Sequence, residues 1–227
     1  MSARDPRLVS VVVPVFNGER FLREALESVL GQDYRPLEVL VVDDGSTDRS
    51  GEIARGFPAP VRLLRQANQG PATARNYGAA SAAGEMIAFL DADDLWLPGK
   101  LGKQVVLLAA QGGGYVACRF HPQLVDGISW PAGLNRAYYE SDPPGFVPSG
   151  LLVARQAWEA VGPFDPSFRI SDDSDWFFRA RKLGISEGLV PEVLFHKRIH
   201  GQNISHRTMA SELLRGLRNS LHRGRGQ

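Results

Sequence analysis

Met86-Ile87-Ala88-Phe89-Leu90-Asp91-Ala92-Asp93-Asp94 is the stretch on which the fold turns. An apolar run gives way abruptly to alternating carboxylates. This is the pattern of a buried strand that carries charge to the edge of a sheet. Carboxylates two residues apart at such an edge can hold a hard divalent cation against phosphate oxygens. Short acidic clusters are also common as solvated turns, so the reading depends on what flanks this one.

Upstream, Ser10 to Phe16 is valine-rich and predicts a buried first strand. Glu19 to Leu30 places Phe21, Leu22, Ala25, Val29 and Leu30 at helical spacing, with Asn17 available as its cap. Leu37 to Val42 predicts a second strand ending at Asp43-Asp44-Gly45-Ser46, and Ser46 or Thr47 is placed to cap a helix running through Ala54. Val61 to Leu64 follows as a short strand, and Pro71 to Ala83, with proline near its start, as a helix. Alternating strands and helices predict an α/β fold, a mostly parallel sheet with helices on both faces. Ligands of such sheets bind beyond the carboxyl ends of the strands. Phe16-Asn17, Asp43-Asp44 and Asp91 to Asp93 all fall there.

The second half is less regular. Lys100 to Ala110 reads as a helix broken by Gly112-Gly113-Gly114, and His121 to Ser149 turns to Pro, Gly and aromatic residues, a long functional loop with some strand. Gly150 to Val153 and Arg155 to Val161 read as strand then helix, and Asp172 to Leu183 as a helix opened by a second acidic cluster. The tail from Ser211 sets Leu213, Leu214 and Leu217 among Arg215, Arg218, Arg223 and Arg225. It is compatible with a solvated helix or with peripheral contact at an anionic membrane.

The 227 residues suffice for one domain with a real core, and a charged fraction of 22% is ordinary for a globular chain. A formal net charge of +1 makes no electrostatic case for nucleic acid. The single cysteine, Cys118, excludes an internal disulfide and sits in the apolar stretch Tyr115 to Phe120, as a core residue does. No run is apolar and long enough to span a bilayer, and Val9 to Phe16 reads as a strand rather than a signal peptide. A soluble, cytoplasmic protein is expected, with attachment at the inner membrane face left open. No GxGxxG or Walker sequence is present.

The ordered blocks Val11-Val12-Val13-Pro14-Val15-Phe16-Asn17, Val41 to Asp48, Asn68 to Gly78 leading into Gly84-Glu85, and Phe89 to Leu97 resemble those of family 2 glycosyltransferases. Gly162-Pro163-Phe164-Asp165, followed by Asp172-Asp173-Ser174-Asp175-Trp176 and Arg179, is similar to that family's acceptor-side region. The resemblance spans most of residues 8 to 206. It implies a Rossmann-like GT-A fold with a nucleotide-sugar half over 8–110, an irregular acceptor half over 111–206, and a basic tail over 207–227. It also implies inverting transfer of a sugar from a nucleotide-activated donor, with a UDP-sugar expected.

By that resemblance Pro14, Val15, Phe16, Asn17 and Glu19 line the nucleoside pocket, with Asp91 and Ala92 close to the ribose. Asp44 is expected to accept a hydrogen bond from the uracil imide. Arg75 is the expected partner of the diphosphate or base, since its guanidinium forks onto phosphate oxygens. Asp93, assisted by Asp91, is expected to hold Mn²⁺ or Mg²⁺, and the ion to offset charge on the departing diphosphate. The family's Glu-Asp pair is Asp172-Asp173 here, which makes Asp173 the expected general base. Asp172 departs from the longer Glu, and Asp175 is a rival on another helix face. His200, in a late stretch with Asn203 and Ser205, is a candidate for the metal or diphosphate. The Gln-x-x-Arg-Trp signature of processive synthases is missing, which favours single additions. A glycan, a lipid-linked glycan or a peptide are the acceptors compatible with this reading, and Trp130, Tyr138, Tyr139 and Phe146 either stack on a sugar or pack locally. Two other readings share the architecture: a non-catalytic nucleotide- or glycan-binding descendant, and a sugar nucleotidyltransferase. The latter normally carries a Gly-rich basic loop where this chain has Asn17-Gly18-Glu19-Arg20.

Overall fold

The computed structural model describes residues 7–168, 171–201 and 203. Eight strands form one sheet: β1 (Val9–Val15), β2 (Leu37–Asp43), β3 (Val61–Arg65), β4 (Met86–Phe89), β5 (Leu95–Trp96), β6 (Tyr115–Leu124), β7 (Leu152–Ala154) and β8 (Glu187–Ile199). Their helices are α1 (Leu22–Leu30), α2 (Ser50–Arg55), α3 (Pro71–Ser81), α4 (Lys100–Ala110), α5 (Arg136–Tyr139), α6 (Arg155–Val161) and α7 (Asp172–Lys182).

The strands lie in the order β3-β2-β1-β4-β7-β6-β8-β5. The first four are parallel, as the strand–helix alternation predicts. The sheet stays mostly parallel in the second half: β7 runs antiparallel to both β4 and β6, so β6 and its parallel neighbour β8 share the direction of the first four strands, and only β7 and β5 run against them. β8 lies beside β5, which follows directly on the Asp91 to Asp94 cluster.

All seven residues of β1 are buried, because both faces of the sheet are covered. Val11, Val13 and Val15 face a core shared with α1, α2 and α4, while Val12 packs with α3, α6 and α7. The second core is aromatic: Phe89, Tyr115, Trp158, Phe164, Trp176 and Phe177 meet edge to face or tilted, and Trp158 stacks on Trp176. Cys118 is a buried core residue.

The expected helix caps are not used. α1 begins at Leu22, not Glu19, and Asn17, in left-handed backbone (φ 50°), accepts a hydrogen bond from Thr47 N at 2.9 Å instead. α2 begins at Ser50. Ser46 Oγ accepts from Asn17 N at 3.0 Å, and Asp48 caps locally by accepting from Ser50 N at 2.9 Å. The loops after β1 and β2 are neighbours, so Asn17, Glu19, Ser46 and Asp48 satisfy backbone across the two loops, and Asp48 also its own helix start.

The segment 121–149 carries regular structure. β6 continues to Leu124, Asn135 caps α5 by accepting from Tyr138 N at 3.1 Å, and Tyr139 packs edge to face on Phe120, Trp130 and Tyr138. Phe146 packs on Phe177. Local packing thus accounts for Trp130, Tyr139 and Phe146, whereas Tyr138 is exposed. The basic tail, with any membrane contact it makes, and Ser205 lie outside the described residues.

Candidate active site

The carboxyl ends of β1, β2 and β4 form one edge, as the sequence predicts. Pro14 and Val15 are buried in the strand, and Phe16, Asn17 and Glu19 emerge from it. Phe16 is 52% exposed, a large aromatic left on the surface of the edge. Glu19 Oε2 accepts from Arg49 N at 3.0 Å. The two acids after β2 divide their work. Asp43 holds its own turn, accepting from Ser46 N at 2.8 Å and pairing with Arg65 at 3.0 Å. Asp44 accepts from Gln66 Nε2 at 2.7 Å and from the backbone N–H of Gln69 and Gly70 at 2.9 Å each, so it shapes the loop that leads into α3.

After β4, the carboxylates of Asp91, Asp93 and Asp94 offer oxygen atoms within 4.8 Å of one another. Their tasks differ. Asp94 is fully buried, accepting from Ser149 Oγ at 2.6 Å and Arg198 N at 3.1 Å, with Lys197 Nζ at 3.8 Å. Burial, against the opposing Lys197 charge, pushes its carboxyl up to about 7. Asp94 is therefore tied to the frame. Asp93 takes contacts from His200 Nε2 at 2.9 Å and Asn203 Nδ2 at 3.1 Å. Burial opposes its ionisation, but the His200 hydrogen bond and the Lys197 and His200 charges hold the carboxyl below the usual range. Hard oxygens from Asp91 and Asp93 fit Mg²⁺ or Mn²⁺, and an imidazole beside Asp93 suits Mn²⁺ better than Mg²⁺.

Arg75, on α3, is buried between the two acidic clusters. It donates to Asp91 Oδ1 at 2.7 Å and to Asp172 Oδ2 at 2.9 Å. Burial works against its charge, and the Asp91 and Asp172 carboxylates more than offset that, raising its pKa. The sequence suggests Arg75 as a phosphate partner. In this structure both arms of its fork are committed to protein carboxylates.

Asp172 and Asp173 open α7, whose first turn is acidic and last turn basic, matching the helix dipole at both ends. Asp172 is buried, and burial raises its carboxyl against the pull of Arg75. Asp173 keeps some solvent contact yet is closely surrounded by protein, and burial with the Asp172 charge pushes it up to about 6. Its Oδ1 accepts from its neighbour Ser174, from the backbone N at 2.7 Å and from Oγ at 3.4 Å. Asp175, the rival base, is buried and paired with Arg179 at 2.7 Å. Arg179 also donates to Val161 O at 2.5 Å and Pro163 O at 2.8 Å, and Asn76 exchanges two hydrogen bonds with the Phe164 backbone. The Gly162 to Asp165 block is thus the clasp that sets α7 against α3.

Sequence reasoning assigned no role to Ser149, Lys197 or Arg198. Ser149 joins Asp91 N to Asp94, at 3.1 and 2.6 Å. Lys197 and Arg198 sit on β8 between buried Phe195 and Ile199. The polar run His196-Lys197-Arg198 between apolar Leu194-Phe195 and Ile199 was the available signal.

Residues 10–154 match the sequence profile described as Glycosyl transferase family 2. An uncharacterized glycosyltransferase of Nostoc sp. is 34% identical over 222 residues, covering 89% of this chain and 68% of the relative. One from Rickettsia typhi is 30% identical over 205 residues, covering 85% and 64%. The chain thus spans about two thirds of the length of these curated relatives. Among solved structures, mannosyltransferase PcManGT from Pyrobaculum calidifontis in complex with GDP-Man and Mn²⁺ superposes with a TM-score of 0.73 at 24% identity, covering 96% of this chain and 65% of that one. S. aureus TarS 1-349 in complex with UDP-GlcNAc superposes with a TM-score of 0.71 at 22% identity, covering 88% and 61%. These likenesses establish the GT-A fold. With the edge carboxylates, the ordered sequence blocks and the matching profile all in one chain, the protein belongs to glycosyl transferase family 2.

Proposed function

We propose that the protein transfers a sugar from a nucleotide-sugar, with a UDP-sugar as first choice, to an acceptor hydroxyl with inversion. The observation that carries this reading is a pair of carboxylates pushed in opposite directions. Asp93 is held ionised at the strand edge, and Asp173 is poised at about 6, with Arg75 tying their neighbours Asp91 and Asp172 together. Oppositely tuned carboxylates in one site are how a protein divides acid–base tasks.

The exposed Phe16 face and the Asp44 loop would hold the nucleoside. Asp91 and Asp93 would hold Mn²⁺ or Mg²⁺ with the diphosphate, and His200 would stay beside Asp93. The ion, when bound, offsets charge on the leaving diphosphate. Asp173 takes the proton of the acceptor hydroxyl as that oxygen bonds to the anomeric carbon. The bond from that carbon to the diphosphate breaks on the opposite face, releasing nucleoside diphosphate. A positioned base of this kind contributes about 10²–10⁴-fold.

Thermal unfolding with UDP, GDP and Mn²⁺, singly and in pairs, tests the donor site. Saturating ligand adds about 2.7 kcal/mol at a hundred times its dissociation constant. A shift that needs a nucleotide and Mn²⁺ together, and is lost in Asp93→Asn, supports the reading. GDP acting in place of UDP would reassign the donor, in line with the GDP-Man bound by PcManGT. No shift with any nucleotide would leave a binding module without donor chemistry. Release of pyrophosphate from a nucleoside triphosphate would mark a nucleotidyltransferase.

A further inference from the structure

Lys197 is the feature of the site that this mechanism leaves unused. It lies on β8, which pairs in parallel with β6, with its side chain 17% exposed and Nζ 3.8 Å from Asp94 Oδ2. At that distance the ammonium makes an ion pair without a hydrogen bond, while the oxygen accepts from Ser149 Oγ at 2.6 Å. Its charge also acts on Asp91, Asp93 and, across the site, Asp173. Arg75 cannot serve the cluster in the same way, because its fork is divided between Asp91 and Asp172. A lysine is a compact charge on a flexible stem, able to turn from one anion to another without the fixed geometry of a guanidinium.

We propose that Lys197 is a built-in counter-cation of the acid cluster, which holds off a bare divalent ion and makes tight metal binding depend on a nucleoside diphosphate. In the free protein the ammonium partly neutralises Asp91, Asp93 and Asp94. An incoming divalent ion gains those carboxylates but meets the repulsion of Lys197. A diphosphate brings negative charge of its own, gives the ammonium a second anion to face, and so makes room for both cations. Nucleotide and metal then each raise the other's affinity by the same factor, as linkage requires. Lys197 acts through the metal ligands and is a positioning residue.

This inference rests on the donor reading above, and its test separates the two. Mn²⁺ affinity is measured by titration, with no nucleotide and with saturating UDP or GDP, for the wild type and for Lys197→Met and Lys197→Arg. Lys197→Met is expected to bind bare Mn²⁺ at least about tenfold tighter, since one unit charge a few ångströms away in a partly buried site outweighs that change. The gain in Mn²⁺ affinity caused by nucleotide should shrink by the same factor. Lys197→Arg keeps the charge and should behave as the wild type. Should Lys197→Met fold poorly, Lys197→Gln removes the same charge with a polar end. Unchanged bare Mn²⁺ affinity in a folded, charge-neutral variant overturns the proposal. Absence of nucleotide binding in every protein overturns the donor reading instead, while the bare-metal comparison still decides the role of Lys197.

Discussion

Arg75 and Asp172 meet at 2.9 Å although 97 positions separate them. The same guanidinium holds Asp91 at 2.7 Å, so one side chain joins the end of β4 to the start of α7. The two carboxylate groups of the proposed site are therefore set relative to each other by protein alone. Removing one partner of a buried pair leaves an uncompensated charge and costs about 3–5 kcal/mol. Arg75→Met should lose stability of that order in urea unfolding, and Arg75→Lys should recover only part, because an ammonium cannot fork to both acids. A loss below about 1 kcal/mol, the range of exposed pairs, would show that the bridge is solvated.

Asp173→Asn should abolish turnover while leaving the thermal shift given by nucleotide with Mn²⁺ within about 1 °C of wild type. The raised carboxyl sets the pH response. Only the ionised form accepts a proton, so kcat/KM should fall below about pH 6, tenfold per unit, as Asp173 is protonated. A profile flat from pH 7 to pH 5 would assign the base elsewhere.

Lys100 offers a test of the core behind the site. It is fully buried, with Nζ 2.7 Å from Gln104 Oε1 and 4.0 Å above the Trp96 ring, and burial lowers its pKa from 10.5 to about 8. Between these values the unfolded chain binds more protons than the folded one, so stability rises with pH there and the deficit is fully present below pH 8. The difference in unfolding free energy between wild type and Lys100→Met should therefore move in favour of wild type between pH 8 and pH 10, by up to about 1.4 kcal/mol per unit. A difference independent of pH would mean that the ammonium is solvated.

Gly78 lets α3 lie against the sheet. A Cβ there would come within 2.3 Å of Val12 Cγ1 and 3.0 Å of Val42 Cγ2, both in fully buried side chains. Gly78→Ala should destabilise by about 1–3 kcal/mol, as overpacked cores do, despite alanine's better helix propensity. Because α3 carries Arg75, nucleotide-dependent stabilisation should also weaken. A variant more stable than wild type would show that α3 can retreat freely.

Much of this protein was legible residue by residue. The valine run of β1, the apolar-to-acidic switch at Phe89–Asp91 and the acidic opening of α7 are local patterns. Periodicity and strand ends placed them correctly, together with the parallel order of the first half. Asn17 and Ser46 were misread as helix caps because the competing partners, on the neighbouring loop, are visible only once β1 lies beside β2. Asp44 is assigned to the uracil imide from the sequence, and the structure adds that it grips Gln69 and Gly70 while Asp43 closes a turn on Arg65.

The sequence by itself determined that carboxylates would gather at the carboxyl edge of an α/β sheet, since hydrophobic burial and chain alternation act along the chain. Only the tertiary structure decided which cations meet them. β7 inserts between β4 and β6, and β8 lies beside β6, which brings Lys197 and the Arg198 backbone N–H to Asp94, the Arg198 guanidinium to Glu24, His200 to Asp93, and Arg75 to Asp172. Coulomb attraction acts through space with no regard for sequence separation, so those pairings followed from topology and not from any spacing in the chain.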